Sequence, residues 1–335
     1  MECGIHALNR NMYTIKDCQE IINKKLATLV LPEQPVNLYN PVRYVIDLGG
    51  KRIRPSLVLM GCNLFVDSIE EAVNPALAVE LFHNFTLMHD DIMDHSVLRR
   101  SKPTVHKKWN ENIAILSGDA VLIKAYEFLS SCSSGRLPEM LKVFNQTALE
   151  VCEGQQYDMD FESIVEVTLP EYLRMIELKT AVLLAASLKI GAISGGSSET
   201  NANYLFEFGR NIGLAFQLQD DFLDVYGTLE LFGKQPGNDI VANKKTFLML
   251  TALSLANGKI LNNLKYWIEI KNFNPEEKVS RITAVFDELK VKEITEDKIN
   301  SFYSMGIKAL EKVRCYEARK QPLYQFAELM MKRVK

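Results

Sequence analysis

AVELFHNFTLMHDDIMD, residues 78–94, runs a long apolar stretch into three aspartates. A near twin, IGLAFQLQDDFLD, occupies residues 212–224. Apolar residues recur in both at three- and four-residue steps, the spacing of a helix face. Aspartate forms helices poorly and suits helix starts, where the macrodipole favours negative charge. Here Asp90-Asp91-Ile-Met-Asp94 and Asp220-Asp221-Phe-Leu-Asp224 stand at the far ends of their runs. At the frequency set by the 15 aspartates of the chain, a chance DDxxD would occur about 0.03 times. Two copies are therefore not composition noise, and local rules broken in this way mark chemistry.

The rest of the chain reads the same way. Helical periodicity covers 69–94, 112–132, 138–161, 169–193, 198–226, 239–257 and 296–331. Ser68-Ile-Glu-Glu71 and Thr168-Leu-Pro-Glu171 have the capping-box pattern, and Asn274-Pro-Glu-Glu277 starts a later helix. Pro41 and Pro138 also read as helix starts. Among 335 residues, 17 glycines and 11 prolines fall short of the roughly 12% of average usage. No alternating runs joined by Asn-Gly or Asp-Gly turns support a sheet. Connectors such as SCSSGR (131–136) and SGGSSET (194–200) are short; GTLELFGKQPGND (227–239) is longer. No linker, composition break or repeat divides the chain. The expectation is an all-α fold, one domain over residues 1–335, with ten or more helices. Residues 258–294 are the least informative.

Composition excludes several classes. Apolar residues make up 47%, charged residues 24%, and the net charge is −3, which argues against disorder and nucleic-acid binding. The longest run without a charge is 13 residues, Thr246 to Gly258, too short to span a bilayer. MECGIHALNRNMYTIKD lacks the apolar core of a secretory signal. Cys3, Cys18, Cys62, Cys132, Cys152 and Cys315 form no CxxC pair. They read as reduced thiols of a cytoplasmic protein, without a zinc site or disulfides.

Residues i and i+4 share a helical face, so Asp90 pairs with Asp94 and Asp220 with Asp224. Clustered carboxylates stay ionised only when cations neutralise them. Mg²⁺ takes one or two carboxylates together with waters and substrate phosphates. Two helices carrying DDxxD are thus predicted to form two walls of a Mg²⁺-diphosphate cage. Basic groups accompany them. Gly49-Gly50-Lys51-Arg52-Ile53-Arg54-Pro55 opens an apolar helix, so backbone N–H groups and cations meet where an anion binds well. Arg99-Arg100-Ser-Lys-Pro-Thr follows the first cluster, Lys179-Thr180 begins an apolar run, and Lys234 and Lys244 follow the second. His83 precedes Asp90 by two helical turns, on a shared face; a packed core histidine is the plainer alternative.

The order GGKRIRP, DDIMD, RRSKPT, KT, FQLQDDFLD and GK, over about residues 38–250, resembles the trans-isoprenyl diphosphate synthases. The resemblance implies the isoprenoid synthase fold, a helical bundle around a central apolar cavity, in a homodimer. It implies head-to-tail condensation of isopentenyl diphosphate with an allylic diphosphate, dependent on Mg²⁺ (three ions per site). On that resemblance Asp90, Asp94 and Asp220 are the principal metal ligands, supported by Asp91, Asp221 and Asp224. Lys51, Arg54, His83 and Arg100 take isopentenyl diphosphate. Arg99, Lys179, Gln217, Lys234 and Lys244 take the allylic diphosphate, with Thr180 beside them. Ser101 departs from the glycine often found after the arginine pair, and the loop after GK is one residue longer than in some members. Phe85 and Thr86, with Phe82 a turn earlier, fall where the resemblance places the floor of the product cavity. One large and one small residue there favour geranylgeranyl diphosphate, with farnesyl diphosphate as the alternative. A class I terpene cyclase would need only the first motif, and a non-catalytic subunit would have lost its acidic clusters.

Overall fold

Thr168 and Asn274 cap helices as the sequence predicts. The Thr168 hydroxyl and the Glu171 carboxylate satisfy each other's backbone N–H groups, and the Asn274 carboxamide accepts from the N–H of Glu276 and Glu277. The structure, a computed structural model, describes residues 12–132, 135–164, 166–227 and 236–331. In chain order the helices are α1 (Ile15–Ala27), α2 (Val36–Asp47), α3 (Ile53–Asn63), α4 (Val73–Met93), α5 (Val105–Lys108) and α6 (Glu111–Ser130). There follow α7 (Leu137–Ser163), α8 (Leu169–Ile176), a π-helical turn (Glu177–Ala181), α9 (Val182–Ser194) and α10 (Glu199–Tyr226). The last are α11 (Asn238–Val241), α12 (Phe247–Leu255), α13 (Gly258–Glu269), α14 (Pro275–Glu288), α15 (Val291–Glu311) and α16 (Gln321–Met331). Among the described residues the fold is all-α apart from one hairpin, β1 (Leu98–Arg99) against β2 (Lys102–Pro103).

Several boundaries differ from the sequence reading, each for a local reason. Pro41 lies inside α2 rather than at its start, because Pro35 already opens that helix. Ser68 accepts from the Glu70 N–H at 3.4 Å but starts only a 3₁₀ turn, Glu70–Ala72, ahead of α4. The run 239–257 breaks into α11 and α12 around Asn243, whose φ is 54°. The run 296–331 breaks at a 3₁₀ turn, Glu317–Lys320.

Chain contacts divide into two compact units. In the unit that holds α1 to α6, α4 packs along α6. The buried residues of α6 are Ala114, Ser117, Gly118, Val121, Ala125 and Leu129, a row at helical spacing. In the same unit α3 and the later turns of α9 touch backbone to backbone. A Cβ on Gly191 would lie 2.0 Å from the Val58 carbonyl oxygen, and one on Gly61 2.6 Å from that of Leu188. The other unit contains the first turns of α9, most of α10, and α11 to α15. One of its cores gathers Tyr172, Leu218, Phe222, Phe247, Leu250 and Ile299. A second gathers Leu248, Met249, Leu264, Trp267 and Phe286. α12 feeds both, which is why a helix so apolar on every side is buried.

The Gly191 contact is backbone against backbone and has no side chain that could yield. Gly191→Ala should therefore lower thermal stability by about 1–3 kcal/mol, the usual cost of overpacking, several degrees in Tm by calorimetry.

Candidate active site

In the first unit the loop before α3 is unusual in its backbone. Gly49, Gly50 and Arg52 have φ of 77°, 146° and 47°. A Cβ on Gly50 would lie 2.7 Å from the Arg100 guanidinium, the movable end of a long side chain. Arg100 and Ser101 have φ of 52° and 62° and form the two-residue turn of the β1–β2 hairpin, a geometry that needs positive φ at both positions. The position where Ser101 replaces a glycine is thus a left-handed one, which serine adopts at a cost. Arg54 enters α3 beside this loop. Its Nη1 donates to His83 Nε2 at 3.1 Å, and its Nε is buried without a partner among the described residues. Burial pulls the Arg54 pKa down to about 10, only partly offset by Glu80. Burial, then the charges of Arg54, Arg100, Arg99 and Arg52, hold His83 well below the ordinary histidine range. His83 is neutral, and Nε2 is its acceptor. An orphaned arginine N–H among cations is the signature of a site that awaits an anion. Lys51 is exposed on the same loop.

The first acidic cluster ends α4. Asp94 is its last, capping residue, and its N–H donates to the Asp90 carbonyl at 2.8 Å. Asp91 is buried, and its carboxylate takes two hydrogen bonds from Arg99, Nε and Nη2 each at 2.7 Å. Arg99 Nη2 also lies 3.8 Å from the Asp90 carboxylate. Earlier on α4, Phe82 is buried, its ring 5.3 Å from Phe144. Phe85 is half-buried between Phe82 at 5.8 Å and the His89 ring at 4.6 Å. The Thr86 hydroxyl donates to the His83 carbonyl at 2.8 Å.

In the second unit the other cluster lies near the end of α10. Asp221 is buried and accepts from the Tyr172 hydroxyl and, at 3.4 Å, from Gln217 Nε2. Burial pushes its carboxyl up to about 7 despite these donors. The Asp224 carboxylate accepts from the Asp239 N–H at 2.9 Å, and burial raises its pKa as well. Asp220 is half-buried. Lys179 and Thr180 lie on the π-helical turn, a rare local geometry concentrated at functional positions. Lys179 Nζ donates to Asp158 at 2.5 Å, and Thr180 Oγ1 to Gln217 Oε1 at 3.4 Å. A Cβ on Gly154 of α7 would lie 2.2 Å from the Lys179 backbone nitrogen, so α7 is moulded to this turn. Burial works against the Lys244 charge, but Asp239, Asp221, Asp158 and Asp224 outweigh it and raise its pKa. Lys234 lies outside the described residues.

The donor set of both clusters is carboxylate oxygen, which suits a hard cation. Among the described residues no three carboxylate, imidazole or thiol groups form a cage by themselves. Sequence reasoning missed Arg52, Glu80, Asp158 and Tyr172. Glu80 carried a signal, a lone acid in the apolar run AVELF; Tyr172 carried none.

The sequence model described as polyprenyl synthetase matches residues 35–286. The chain is 43% identical over 240 residues to geranylgeranyl diphosphate synthase of Methanosarcina mazei, covering 71% of this chain and 74% of that one. It is 38% identical over 257 residues to geranylfarnesyl diphosphate synthase of Natronomonas pharaonis, covering 71% and 75%. Its fold matches a crystal structure of geranylgeranyl pyrophosphate synthase with a TM-score of 0.91 at 42% identity, over 97% of this chain and all of the other.

The raised pKa of Asp221 has a testable sign. Its neutral form is the one the fold prefers, so its contribution is fully present below the ordinary aspartate pKa near 4. It is lost as pH rises through about 7. With Mg²⁺ chelated, Asp221→Asn should melt a few degrees above the wild type at pH 8 and together with it at pH 4. Equal melting differences at the two pH values would contradict this origin.

Proposed function

The chain is a prenyltransferase of the polyprenyl synthetase family, and from that premise we propose that it condenses isopentenyl diphosphate with an allylic diphosphate to make geranylgeranyl diphosphate. The observation that carries the reading is the meeting of a desolvated, half-satisfied Arg54 with a neutral His83, in a chain whose two acidic clusters are intact. An anion held by cations and an anion held through metal are the two sites that a two-diphosphate reaction needs.

Arg54, Lys51, Arg100 and His83 take the diphosphate of isopentenyl diphosphate. Arg99, Lys179, Gln217, Lys234 and Lys244, with Thr180, take the allylic diphosphate. Asp90, Asp94 and Asp220 would hold Mg²⁺, which when bound would supply Lewis acidity toward the leaving diphosphate. Asp91, Asp221 and Asp224 support these ligands. Asp91 is held by Arg99, Asp221 by Tyr172 and Asp224 by a backbone N–H. Lysine and arginine around the leaving group stabilise the charge that grows as the allylic carbon–oxygen bond breaks. The allylic cation is then attacked by the double bond of isopentenyl diphosphate, and the adduct loses a proton to the released diphosphate. The side chains hold both diphosphates and exclude water; none acts as nucleophile.

Phe85 is the better floor residue than Phe82, because Phe82 is buried in a cluster with Phe144 while Phe85 is only half covered. Similarity to a geranylgeranyl diphosphate synthase supports the twenty-carbon product; farnesyl diphosphate is the alternative. We further read the enzyme as a cytoplasmic homodimer. Ile115, Leu116 and Ile123 are large apolar side chains exposed on α6, a surface that a second copy would cover. Among the described residues no helix is long and apolar enough to cross a membrane.

Product mass analysis with isopentenyl diphosphate and five-, ten- and fifteen-carbon allylic primers tests the reading. Hydrocarbon release from farnesyl diphosphate alone would point to a cyclase instead. Asp90→Ala and Asp220→Ala should each lower turnover by about 10³-fold or more, while Tm without Mg²⁺ stays equal or rises. Near-normal turnover in either variant would remove that carboxylate from the metal site. Phe85→Ala should shift the products to longer chains and lower stability by about 3 kcal/mol, read by mass spectrometry and thermal melting. An unchanged product distribution would put the floor elsewhere.

A further inference from the structure

Arg52 is the one non-glycine residue with positive φ in the loop before α3, and its side chain explains how it stays there. Only 5% of the residue is exposed. Its Nε donates to Asn23 Oδ1 on α1 at 3.2 Å, its Nη2 to the Ile46 carbonyl on α2 at 3.0 Å, and its Nη1 to the Glu80 carboxylate on α4. Asn84 Nδ2 donates to the same carboxylate at 3.3 Å and to the Glu80 carbonyl at 2.7 Å. Gln19 on α1 holds the neighbouring Lys51 carbonyl at 2.6 Å. A left-handed arginine persists only where its surroundings over-determine it, and here three helices do so. Glu80, His83 and Asn84 stand at i, i+3 and i+4 on one face of α4. Arg52 and Arg54 therefore reach the same helix face one turn apart, the first at Glu80 and the second at His83.

We propose that Arg52 and Glu80 are a positioning pair: held between helices, they fix the left-handed turn that aims the first residues of α3, and Arg54 with them, at a bound diphosphate. Arg52 does not itself touch that ligand. The inference rests on the reading of Arg54 and His83 as the isopentenyl diphosphate site.

Steady-state kinetics in both substrates test it with three variants. Glu80→Gln breaks the pair. Arg52→Met/Glu80→Met removes it without leaving a buried charge unpartnered, a replacement that folds tend to tolerate. Asn23→Ala, at an exposed position, removes one of the three holds and leaves the core untouched. The first two should raise the KM for isopentenyl diphosphate about tenfold or more, and Asn23→Ala about two- to threefold, with kcat and the allylic KM within about twofold of wild type. A folded double variant with wild-type KM for isopentenyl diphosphate would overturn the proposal. So would a fall in kcat with both KM values unchanged, the mark of a merely smaller folded fraction. Wild-type enzyme that fails to consume isopentenyl diphosphate would instead defeat the proposed function, whatever the variants do.

Discussion

Negative charge is concentrated at the C-terminal ends of two long apolar helices, where neighbouring carboxylates and the helix dipole both oppose it. Much of the polar structure follows from that constraint. Each supporting aspartate has its own neutraliser: Arg99 grips Asp91 with two hydrogen bonds, Tyr172 donates to Asp221, and the Asp239 N–H donates to Asp224. The carboxyl of Asp221 is still pushed up to about 7 by burial. Such clusters oppose folding unless neighbouring groups neutralise them.

Positive charge is stored under the opposite constraint. Arg54 is desolvated to a pKa of about 10 and leans on a histidine kept neutral by the surrounding arginines. Gly50 leaves space for the Arg100 guanidinium, and the turn of the β1–β2 hairpin presents that residue. Glu80 is a buried counter-charge in this region, and its carboxylate pairs with Arg52 rather than Arg54.

Backbone contacts supply the rigidity such sites require. α3 and α9 touch through Gly61 and Gly191, and α7 is shaped by Gly154 to the π-helical turn that carries Lys179. These contacts leave little room to slide, so the charged side chains they carry keep their places. α6, buried on one row, exposes Ile115, Leu116 and Ile123 among charged residues.

The sequence alone determined the helical class, because three- and four-residue periodicity and few glycines and prolines allow little else. It also determined the two acidic clusters and the family, because those signals are local and a DDxxD is read within five residues. Within GGKRIRP it did not distinguish the inward Arg52 from the exposed Lys51, since all its basic residues look alike until the left-handed turn points one of them at Glu80. It did not pair Lys179 with Asp158 or Asp221 with Tyr172, partners 21 and 49 residues apart. Nor did it show the π-helical turn, where the run 169–193 reads as continuous periodicity. Tertiary structure decided these features because they depend on which buried groups meet at hydrogen-bond distance, and only the packing of distant helices sets that distance.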